Sequence, residues 1–496
     1  MGAYIRQAKG AGKKLIVADP IRIPLAEIAD IYLQIKPGTS LALSHSLLHV
    51  IFSEGLEDIE YIGQNTAGVE HLKEVVLKYS PEYTAEICGV EAADIVAAAR
   101  MYAQAGAASI IYCMGITQQV NGVNNVFGLS NLALATGNLG KPGCGVNPLR
   151  GQNNVQGACD MGALPDVYTA YQKVTNPDVQ KKFEETWGVK LSGTTGLTST
   201  EAIPAVLEDK VKMLYIIGEN PAVSDADVAH AIKAFKKAFL VVQDIFLTET
   251  AELADVVLPA ACFAEKEGTF TNSERRVQRV RRAVSVKGLT DWEIIMKLMN
   301  RMGYSCHYDS TEEIFSEMRA LTPSYAGITY GRIEEENGLT WPCPVEDHPG
   351  TPILHVGKPV KGKAEFKAAE WEPAPETLLK EYPLILTTNR IQHHYHTRSM
   401  TAKTEAIDAH YPDSFVQINP SDAADWGIDD GDIIRVSSPR GSVQTRAVIT
   451  DTVKQGMVSM PFHWPDSANI LTNAAALDPI SKIPGLKLAG VKLEKI

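Results

Sequence analysis

The segment 147–165 holds the densest group of residues that could do chemistry in this 496-residue chain. It reads NPLRGQNNVQGACDMGALP and shows neither helical nor strand periodicity. Amide side chains, together with glycines that leave backbone N–H groups accessible, suit a polar, anionic ligand. Arg150 could place two parallel hydrogen bonds on a carboxylate or a phosphate. A surface loop with an exposed arginine would have the same composition, so both interpretations stay open at this point.

Three other polar loops follow apolar runs of strand length. They are residues 115–118, residues 218–221, and residues 243–244 together with Thr248. Open α/β sheets bind ligands beyond the carboxyl ends of their strands. Any one of these loops could be an ordinary turn, but three in register favour a nucleotide-type ligand.

Acidic residues at strand ends and a group of histidines offer further candidates. A buried Asp19 or Asp244 could bind a guanine edge or a ribose hydroxyl, whereas Asp255 is better explained as a helix N-cap. His393, His394 and His396 precede Arg398 and suggest a metal site. Because no Cys or carboxylate at suitable spacing completes a ligand set, metal binding is the less favoured interpretation.

Alternating strands and helices must position these loops. Strand-like runs occupy residues 14–18, 108–112, 213–217, 239–242 and 255–258, and helical patterns occupy residues 91–105, 124–136 and 225–238. This alternation predicts an α/β fold with largely parallel, Rossmann-like sheets. Residues 1–12 form at most half of a helix before the first strand, so the start looks like a cut through a domain.

The last third of the chain has a different pattern. Residues 352–376 are rich in Lys and Pro, which predicts a linker. Short strands follow at residues 382–387, 415–418, 433–437, 442–448 and 457–460, separated by turn clusters. They predict a mostly β domain of the kind that closes into a small barrel.

Composition excludes several classes of protein. The formal net charge of −12 leaves no basic face for nucleic acid, and no apolar run approaches the length of a membrane span. Seven scattered cysteines without a C-x-x-C motif argue against a disulfide scaffold or a structural zinc site. A cytoplasmic, reducing compartment is therefore expected.

The segment 147–165 resembles the signature segment of molybdopterin-dependent formate dehydrogenase catalytic (alpha) subunits, and the resemblance extends along nearly the whole chain. The other shared motifs are IKPGT (35–39), MGITQ (114–118), ATGNLGKPG (135–143), QDIF (243–246), EGTFTN (267–272) and RSMT (398–401). Single motifs are shared with nitrate reductases of the same superfamily. The predicted C-terminal β domain likewise resembles the pterin-capping domain of this family.

The resemblance implies a bis-molybdopterin guanine dinucleotide cofactor carrying Mo or W, and reversible oxidation of formate to carbon dioxide in anaerobic metabolism. It implies that Arg150 anchors the formate carboxylate and that Gln152 lies near the metal, with no protein ligand to the metal identified in this chain. The residues implied to line the cofactor are Asp19, Gly115, Thr117, Gln118, Gly218, Glu219, Asn220, Asp244, Thr248, Asn272, His396, Arg398 and Asn469. Electron-transfer subunits with iron–sulfur or flavin centres are the implied partners.

The implied division of the chain has four parts. Residues 1–152 and 153–290 would form two α/β cofactor-binding domains, the first lacking its N-terminal portion. Residues 291–378 would be a helical segment and linker, and residues 379–496 the β-barrel pterin-capping domain.

Several features depart from the family pattern. The Cys-rich region that binds a [4Fe-4S] cluster, and the segment carrying the Cys or selenocysteine that ligates the metal, have no counterpart here. Ile21 replaces a common Arg, and Ser40 replaces an Asp common in relatives. One hypothesis is a selenoprotein fragment whose reading frame was opened after an in-frame UGA, so that the isolated chain would oxidise no formate. The alternatives are a non-catalytic module that binds or delivers the pterin, or another molybdopterin oxidoreductase such as a nitrate reductase.

Overall fold

A computed structural model of the chain describes residues 1–378 and 380–496. These residues form two compact units. The first comprises Met1–Asn147, Pro221–Ala231 and His355–Ile496, and the second comprises Pro148–Asn220 and Ile232–Leu354. The domain boundary expected at residue 379 falls on the one position outside the described ranges, and the four-part division stays a prediction.

The N-terminal part of the first unit is mainly helical. Its helices are Gly2–Gly10, Ser40–Ser53, Ile59–Asn65, Val69–Val76, Pro81–Cys88, Ala92–Ala103, Met114–Thr117 and Gly122–Ala135. The helix Ser40–Ser53 is apolar on most of its surface and is accordingly buried by its neighbours, as a helix of this composition must be. Two short strands, Ile16–Ala18 and Ile31–Leu33, pair in parallel beside it. The strand Ser109–Tyr112 pairs with Gly145–Pro148, which leads into the second unit.

The C-terminal part of the first unit is a closed six-stranded barrel. Its strands are Leu384–Asn389, Phe415–Ile418, Ile433–Ser438, Gly441–Ile449, Met457–Pro461 and Ala489–Lys495. Alternate residues such as Ile434 and Val436 fill the interior, whereas their neighbours face outward. Five of these strands lie where the sequence predicts them. The sixth, Ala489–Lys495, was not predicted, and it closes the barrel between Leu384–Asn389 and Ile433–Ser438.

The Lys- and Pro-rich segment is packed onto the first unit. Ala364–Glu365 pairs in parallel with Thr66–Ala67, and the Phe366 ring is buried among the helices. The Trp371 indole N–H donates to the carbonyl of Gly38 over 2.8 Å. This segment therefore has little regular structure but is fixed by specific contacts.

The second unit contains a parallel sheet with the strand order Met213–Ile217, Phe239–Asp244, Val256–Pro259. A small antiparallel sheet of Gly268–Thr271, Arg276–Val280 and Leu339–Thr340 lies in the same unit. The helices are Val155–Asp160, Pro177–Trp187, Ser199–Leu207, Asp291–Arg301, Thr311–Leu321 and Tyr330–Glu335. The helices Pro221–Ser224 and Val228–Lys237 occupy the chain around the change of unit. Within the described residues, every helix is too short or too polar to cross a bilayer.

Candidate functional site

The carboxyl ends of the parallel strands in the second unit carry the loop 218–220. Gly218 follows the strand Met213–Ile217 with φ +64°, a conformation that favours glycine. Its N–H donates to the carbonyl of Gln243 over 2.8 Å, which ties this loop to the end of the neighbouring strand. A Cβ on Gly218 would meet no protein atom within 4 Å, so the backbone is open to a ligand. This edge of the sheet is where an α/β fold binds ligands.

Two of the predicted cofactor residues in this loop region already have structural roles. The Asn220 side chain is buried, and its oxygen accepts from the Thr250 N–H over 3.1 Å and from the Thr250 hydroxyl over 2.8 Å. Its amide nitrogen donates to Glu249 over 2.7 Å. The Thr248 hydroxyl accepts from the N–H of Ala251 at the start of a 3-10 turn. Both residues hold the shape of the loops, and this leaves backbone groups and carboxylates to face a ligand.

The carboxylates at this edge are Glu219 and Asp244. Burial raises the pKa of Asp244, and the N–H groups of Ile245 and Phe246 oppose the rise. The pKa of Glu219 is raised as well, because nearby protein atoms displace water from its carboxyl group. Part of the Glu219 residue nevertheless remains exposed to solvent. Carboxyl groups of this kind can accept hydrogen bonds from the N–H edge of guanine.

Arg150 lies in a second group of polar residues in the same unit. Its backbone N–H donates to the Ser273 hydroxyl over 3.1 Å, and its Nε donates to Oε1 of Gln156 over 3.3 Å. Among the hydrogen bonds of the described residues, none involves Nη1 or Nη2, and the residue is exposed. Gln152 is partly buried, and it follows Arg150 in the segment that leads into the helix Val155–Asp160. Arg150 is thus held at one edge and open to an anion at the other.

Asn272 lies at a turn next to this group. Its side-chain oxygen accepts from the N–H groups of Glu274 and Arg276, over 2.9 and 3.1 Å. The neighbouring N–H of Thr271 donates to Asn154, which lies just before the helix Val155–Asp160. Asn272 therefore shapes the turn that receives the segment carrying Arg150.

In the first unit, Lys487 is the centre of a cluster that we call the lysine cluster: Asp19, Gln118, Arg390 and Lys487. The Lys487 N–H donates to the carbonyl of Gln118 over 3.1 Å, and its Nζ donates to the carbonyl of Thr388 over 2.9 Å. Burial, and after it the Arg390 charge, lower the pKa of Lys487 to about 8, against the opposing effect of Asp19. Burial raises the pKa of Asp19, while the N–H of Ile21 and the Lys487 charge lower it. Two of the predicted cofactor residues, Asp19 and Gln118, thus lie beside Lys487.

The predicted residues Gly115 and Thr117 lie in the short helix Met114–Thr117, which leads into Gln118. A Cβ on Gly115 would also meet no protein atom within 4 Å. The Arg390 guanidinium lies 3.5 Å from the sulfur of Met114. The loop therefore presents open backbone beside the lysine cluster.

The histidine group predicted from the sequence, His393, His394 and His396, lies shortly after Arg390 in the chain. Burial and the Arg390 charge lower the pKa of His396 to about 4, and Nδ1 of His463 donates to the His396 carbonyl. His394 lies between the Thr401 hydroxyl and the Tyr411 carbonyl. Within residues 1–378 and 380–496, no group of three or more His, Cys, Asp or Glu side chains could hold a metal ion.

Arg398 provides the clearest fit to an anionic ligand. His396 and Arg398 both have positive φ, +46° and +61°, which is a strained conformation for residues other than glycine. The Arg398 guanidinium bonds Asp408 and lies 5.0 Å from the Trp464 ring, but its buried Nε has no partner among the described residues. A buried guanidinium N–H requires an acceptor, and a phosphate oxygen would supply one. With the open backbone at Gly115 in the same unit, these residues fit part of a molybdopterin dinucleotide.

Two predicted residues have other surroundings. The Asn469 amide donates to the carbonyls of Val223 and Ser224, over 2.9 and 3.1 Å, so it fixes a segment of the same unit. Asp255 is not a helix N-cap, and that prediction was wrong. Its carboxylate accepts from the N–H of Leu240 over 2.7 Å, because Asp255 precedes a strand that pairs with the strand of Leu240.

Sequence reasoning missed Arg390, His463 and Lys487 in the first unit, and Gln156 and Asp160 in the second. Lys487 lies just before the strand Ala489–Lys495, and nothing in the neighbouring sequence distinguishes it as a functional residue. Gln156 and Asp160 lie within the segment 147–165, and their spacing of four residues could have placed both on one face of a helix.

Comparison with known proteins identifies the family. Residues 1–301 match the family described as molybdopterin oxidoreductase, and residues 384–490 match the molydopterin dinucleotide binding domain. The chain is 51% identical to the F420-dependent formate dehydrogenase subunit alpha of Methanocaldococcus jannaschii, over 99% of this chain and 74% of that one. It is 42% identical to formate dehydrogenase H of Escherichia coli, over 99% of this chain and 70% of that one.

A solved structure shows the same fold. Acetylene hydratase from Pelobacter acetylenicus superposes with a TM-score of 0.79 at 22% identity, covering 99% of this chain and 75% of that chain. This likeness confirms the predicted α/β architecture with a C-terminal barrel. Sequence matches over both parts of the chain therefore establish that this protein is a member of the molybdopterin oxidoreductase family, related to formate dehydrogenase catalytic subunits.

Proposed function

We propose that this chain belongs to the catalytic subunit of a formate dehydrogenase and oxidises formate to carbon dioxide, reversibly, in its holoenzyme. The observation that carries the proposal is Arg150, whose Nε donates to Gln156 while no hydrogen bond among the described residues uses its two Nη groups. A planar guanidinium binds a planar carboxylate with two parallel hydrogen bonds. The similarity to two formate dehydrogenases over 99% of the chain supports formate as the carboxylate.

The residues of the chain would bind and orient. Arg150 would hold the formate carboxylate, and Gln152 would lie close to the metal site. The residues proposed to hold bis-molybdopterin guanine dinucleotide are, in the first unit, Asp19, Gly115, Thr117, Gln118, His396, Arg398 and Asn469, and in the second, Gly218, Glu219, Asn220, Asp244, Thr248 and Asn272. The bound cofactor would supply a two-electron acceptor at its Mo or W. Oxidation of formate to carbon dioxide releases one proton and two electrons, and the electrons would pass to iron–sulfur or flavin subunits in the cytoplasm.

A charged lysine and a neutral histidine would support binding of the anionic cofactor. Lys487 and Arg390 supply positive charge beside Asp19 and Gln118, whereas His396 stays neutral near pH 7 because its pKa is about 4. A neutral imidazole can accept as well as donate a hydrogen bond. The positive charges would attract the phosphate groups, and the neutral imidazole would form hydrogen bonds with the pterin.

The test uses the holoenzyme purified from its native cells with its partner subunits. We expect formate-dependent reduction of a redox dye, release of labelled carbon dioxide from ¹³C-formate, and bound pterin, GMP and Mo or W. Nitrate-dependent oxidation of the reduced dye, without formate turnover, would instead assign a nitrate reductase. Bound pterin without turnover of either substrate would assign a cofactor-binding module and overturn the proposal.

A further inference from the structure

Asp160 is a fully buried carboxylate in the second unit that the proposed function does not use. Four side chains donate to it: Gln156 over 2.8 Å, Tyr171 over 3.0 Å and Trp341 over 2.8 Å, with Tyr325 as the fourth. We call Asp160 and these four donors the Asp160 network. Burying a charge is unfavourable unless donors satisfy it, and four donors do so here.

The two carboxylate oxygens have different partners. Tyr325 and Trp341 donate to Oδ2, which lies toward the aromatic core of the unit. Gln156 and Tyr171 donate to Oδ1, which lies toward the segment carrying Arg150. Asp160 is therefore anchored on one side and acts on the Gln156 amide on the other.

The charge of Asp160 determines which way the Gln156 amide is turned. Nε2 donates one hydrogen to Asp160 and the other to the Tyr171 hydroxyl, over 2.8 and 2.9 Å. If the amide were reversed, Oε1 would face a carboxylate oxygen, and two acceptors repel each other. Oε1 must consequently point away from Asp160, and it accepts from Nε of Arg150 over 3.3 Å.

The backbone around Tyr171 shows that this arrangement is held in place. Ala170 and Tyr171 have φ of +50° and +62°, two consecutive residues in the left-handed region without a glycine. The Tyr168 N–H donates to the Gln172 carbonyl over 2.8 Å and closes this tight loop. Strained backbone persists only where surrounding contacts determine it. Here the loop brings the Tyr171 hydroxyl to both Gln156 and Asp160.

Nε of Arg150 is consequently occupied. A guanidinium can bind a carboxylate through Nε and one Nη, or end-on through both Nη groups. With Nε bound to Gln156, only the end-on edge remains for an anion. The direction of that edge is set by the chain of hydrogen bonds from Asp160 through Gln156.

We propose that Gln156, oriented by the Asp160 network, is a positioning residue that holds Nε of Arg150 so that its two Nη groups receive the substrate carboxylate end-on. The inference rests on the proposed function for the identity of that carboxylate, formate. The orientation of Arg150 itself does not depend on it.

The kinetic test is a double-mutant cycle in the holoenzyme. Gln156→Met keeps the length of the side chain but removes its hydrogen bonds, so we expect the formate KM to rise about tenfold, as for a lost hydrogen bond to a charged group. We expect kcat to stay within about threefold, because the carboxylate is bound before and during the reaction. In an Arg150→Lys background, which lacks Nε, Gln156→Met should have no further effect.

Gln180→Met is the matched control. Gln180 is a glutamine of the same unit whose amide donates to the carbonyl of Leu191 over 2.6 Å, and among the described residues it shares no hydrogen bond with the Asp160 network. It should leave the formate KM unchanged. If Gln156→Met raised KM equally in the wild-type and Arg150→Lys backgrounds, Gln156 would act independently of Arg150, and the proposal would be overturned. An unchanged KM for Gln156→Met would overturn it as well.

A structural readout separates the inference from the proposed function. Asp160→Asn can turn its amide toward Gln156 and allow the Gln156 amide to reverse. We expect a crystal structure of this variant to show the Arg150 guanidinium released from Gln156, whereas an unmoved Arg150 would overturn the inference. A wild-type holoenzyme that does not turn over formate would refute the proposed function, while this structural result would still decide the role of the network.

Discussion

Glu376 supports the barrel segment that carries Asn469, and its loss should destabilise the first unit strongly. Its two oxygens accept from Nη1 and Nη2 of Arg440, over 3.1 and 2.7 Å. Asn473 and the Gly490 N–H donate to the same carboxylate, and Arg440 also donates to the carbonyl of Leu471. Glu376→Gln keeps the shape but turns an NH₂ group toward at least one of these donors.

The magnitude follows from burial. The side chains of Glu376 and Arg440 are only 7% and 12% exposed, and removing one partner of a buried ion pair costs about 3–5 kcal/mol in the free energy of unfolding. The matched control is Glu494→Gln, which breaks an ion pair with Arg435 on the exposed barrel surface and should cost about 0–1 kcal/mol. Urea unfolding of both variants, followed by circular dichroism, measures the difference.

The pH dependence gives a second check. Burial alone would raise the pKa of Glu376, but Arg440, Asn473 and the Gly490 N–H hold it below its ordinary value. A carboxyl whose pKa is lower in the folded state stabilises the fold above its unfolded pKa, about 4.3, and loses this effect as the pH falls through the folded pKa. The difference between wild type and Glu376→Gln should therefore be constant from about pH 6 to 8, as ordinary carboxyl titration implies, and should shrink below about pH 4. Equal destabilisation by the Glu376 and Glu494 substitutions at about pH 7 would refute the reasoning.

Three further predictions concern the residues around the proposed cofactor. The pKa of Lys487, about 8, lies below its ordinary value of about 10.4, so between these values the unfolded chain binds more protons and the free energy of unfolding rises with pH. Lys487→Met in the cofactor-free chain should flatten this rise. An unchanged slope of stability against pH, measured by chemical denaturation, would contradict the prediction. Arg398→Lys removes the unpartnered Nε, so the GMP released per purified holoenzyme should fall, whereas full GMP content would separate Arg398 from the cofactor. Asn220→Ala removes the acceptor of two Thr250 bonds and should cost about 1–3 kcal/mol of unfolding free energy, and a neutral effect in urea titration would show that the loop does not depend on Asn220.

Local pattern was enough to predict the elements that carry the loops. The strands Met213–Ile217 and Phe239–Asp244 are apolar runs of strand length, and the barrel strand Phe415–Ile418 lies where the sequence places it. The strand Ala489–Lys495 was missed because its sequence, AGVKLEK, mixes small and charged residues. Its strand character comes from pairing on both sides within the barrel, which no local pattern records.

Candidate site residues were predictable in type but not in role. Polar residues after strands mark the edge of a sheet, yet Asn220 and Asn469 prove to be bound to their own unit rather than open to a ligand. Conversely, Lys487 matters through partners far away in the sequence, such as Thr388, which lies 99 residues earlier and accepts from Nζ over 2.9 Å. Such contacts depend on the tertiary fold, and short-range spacing carries no information on them.

The central claim is that Arg150 receives the substrate carboxylate, and steady-state kinetics of Arg150→Lys in the holoenzyme test it most directly. A lysine keeps the positive charge but cannot make two parallel hydrogen bonds, so we predict that kcat/KM for formate falls by about 10- to 100-fold at unchanged pterin and metal content. Formate kinetics equal to those of the wild type, with full cofactor content, would contradict the account.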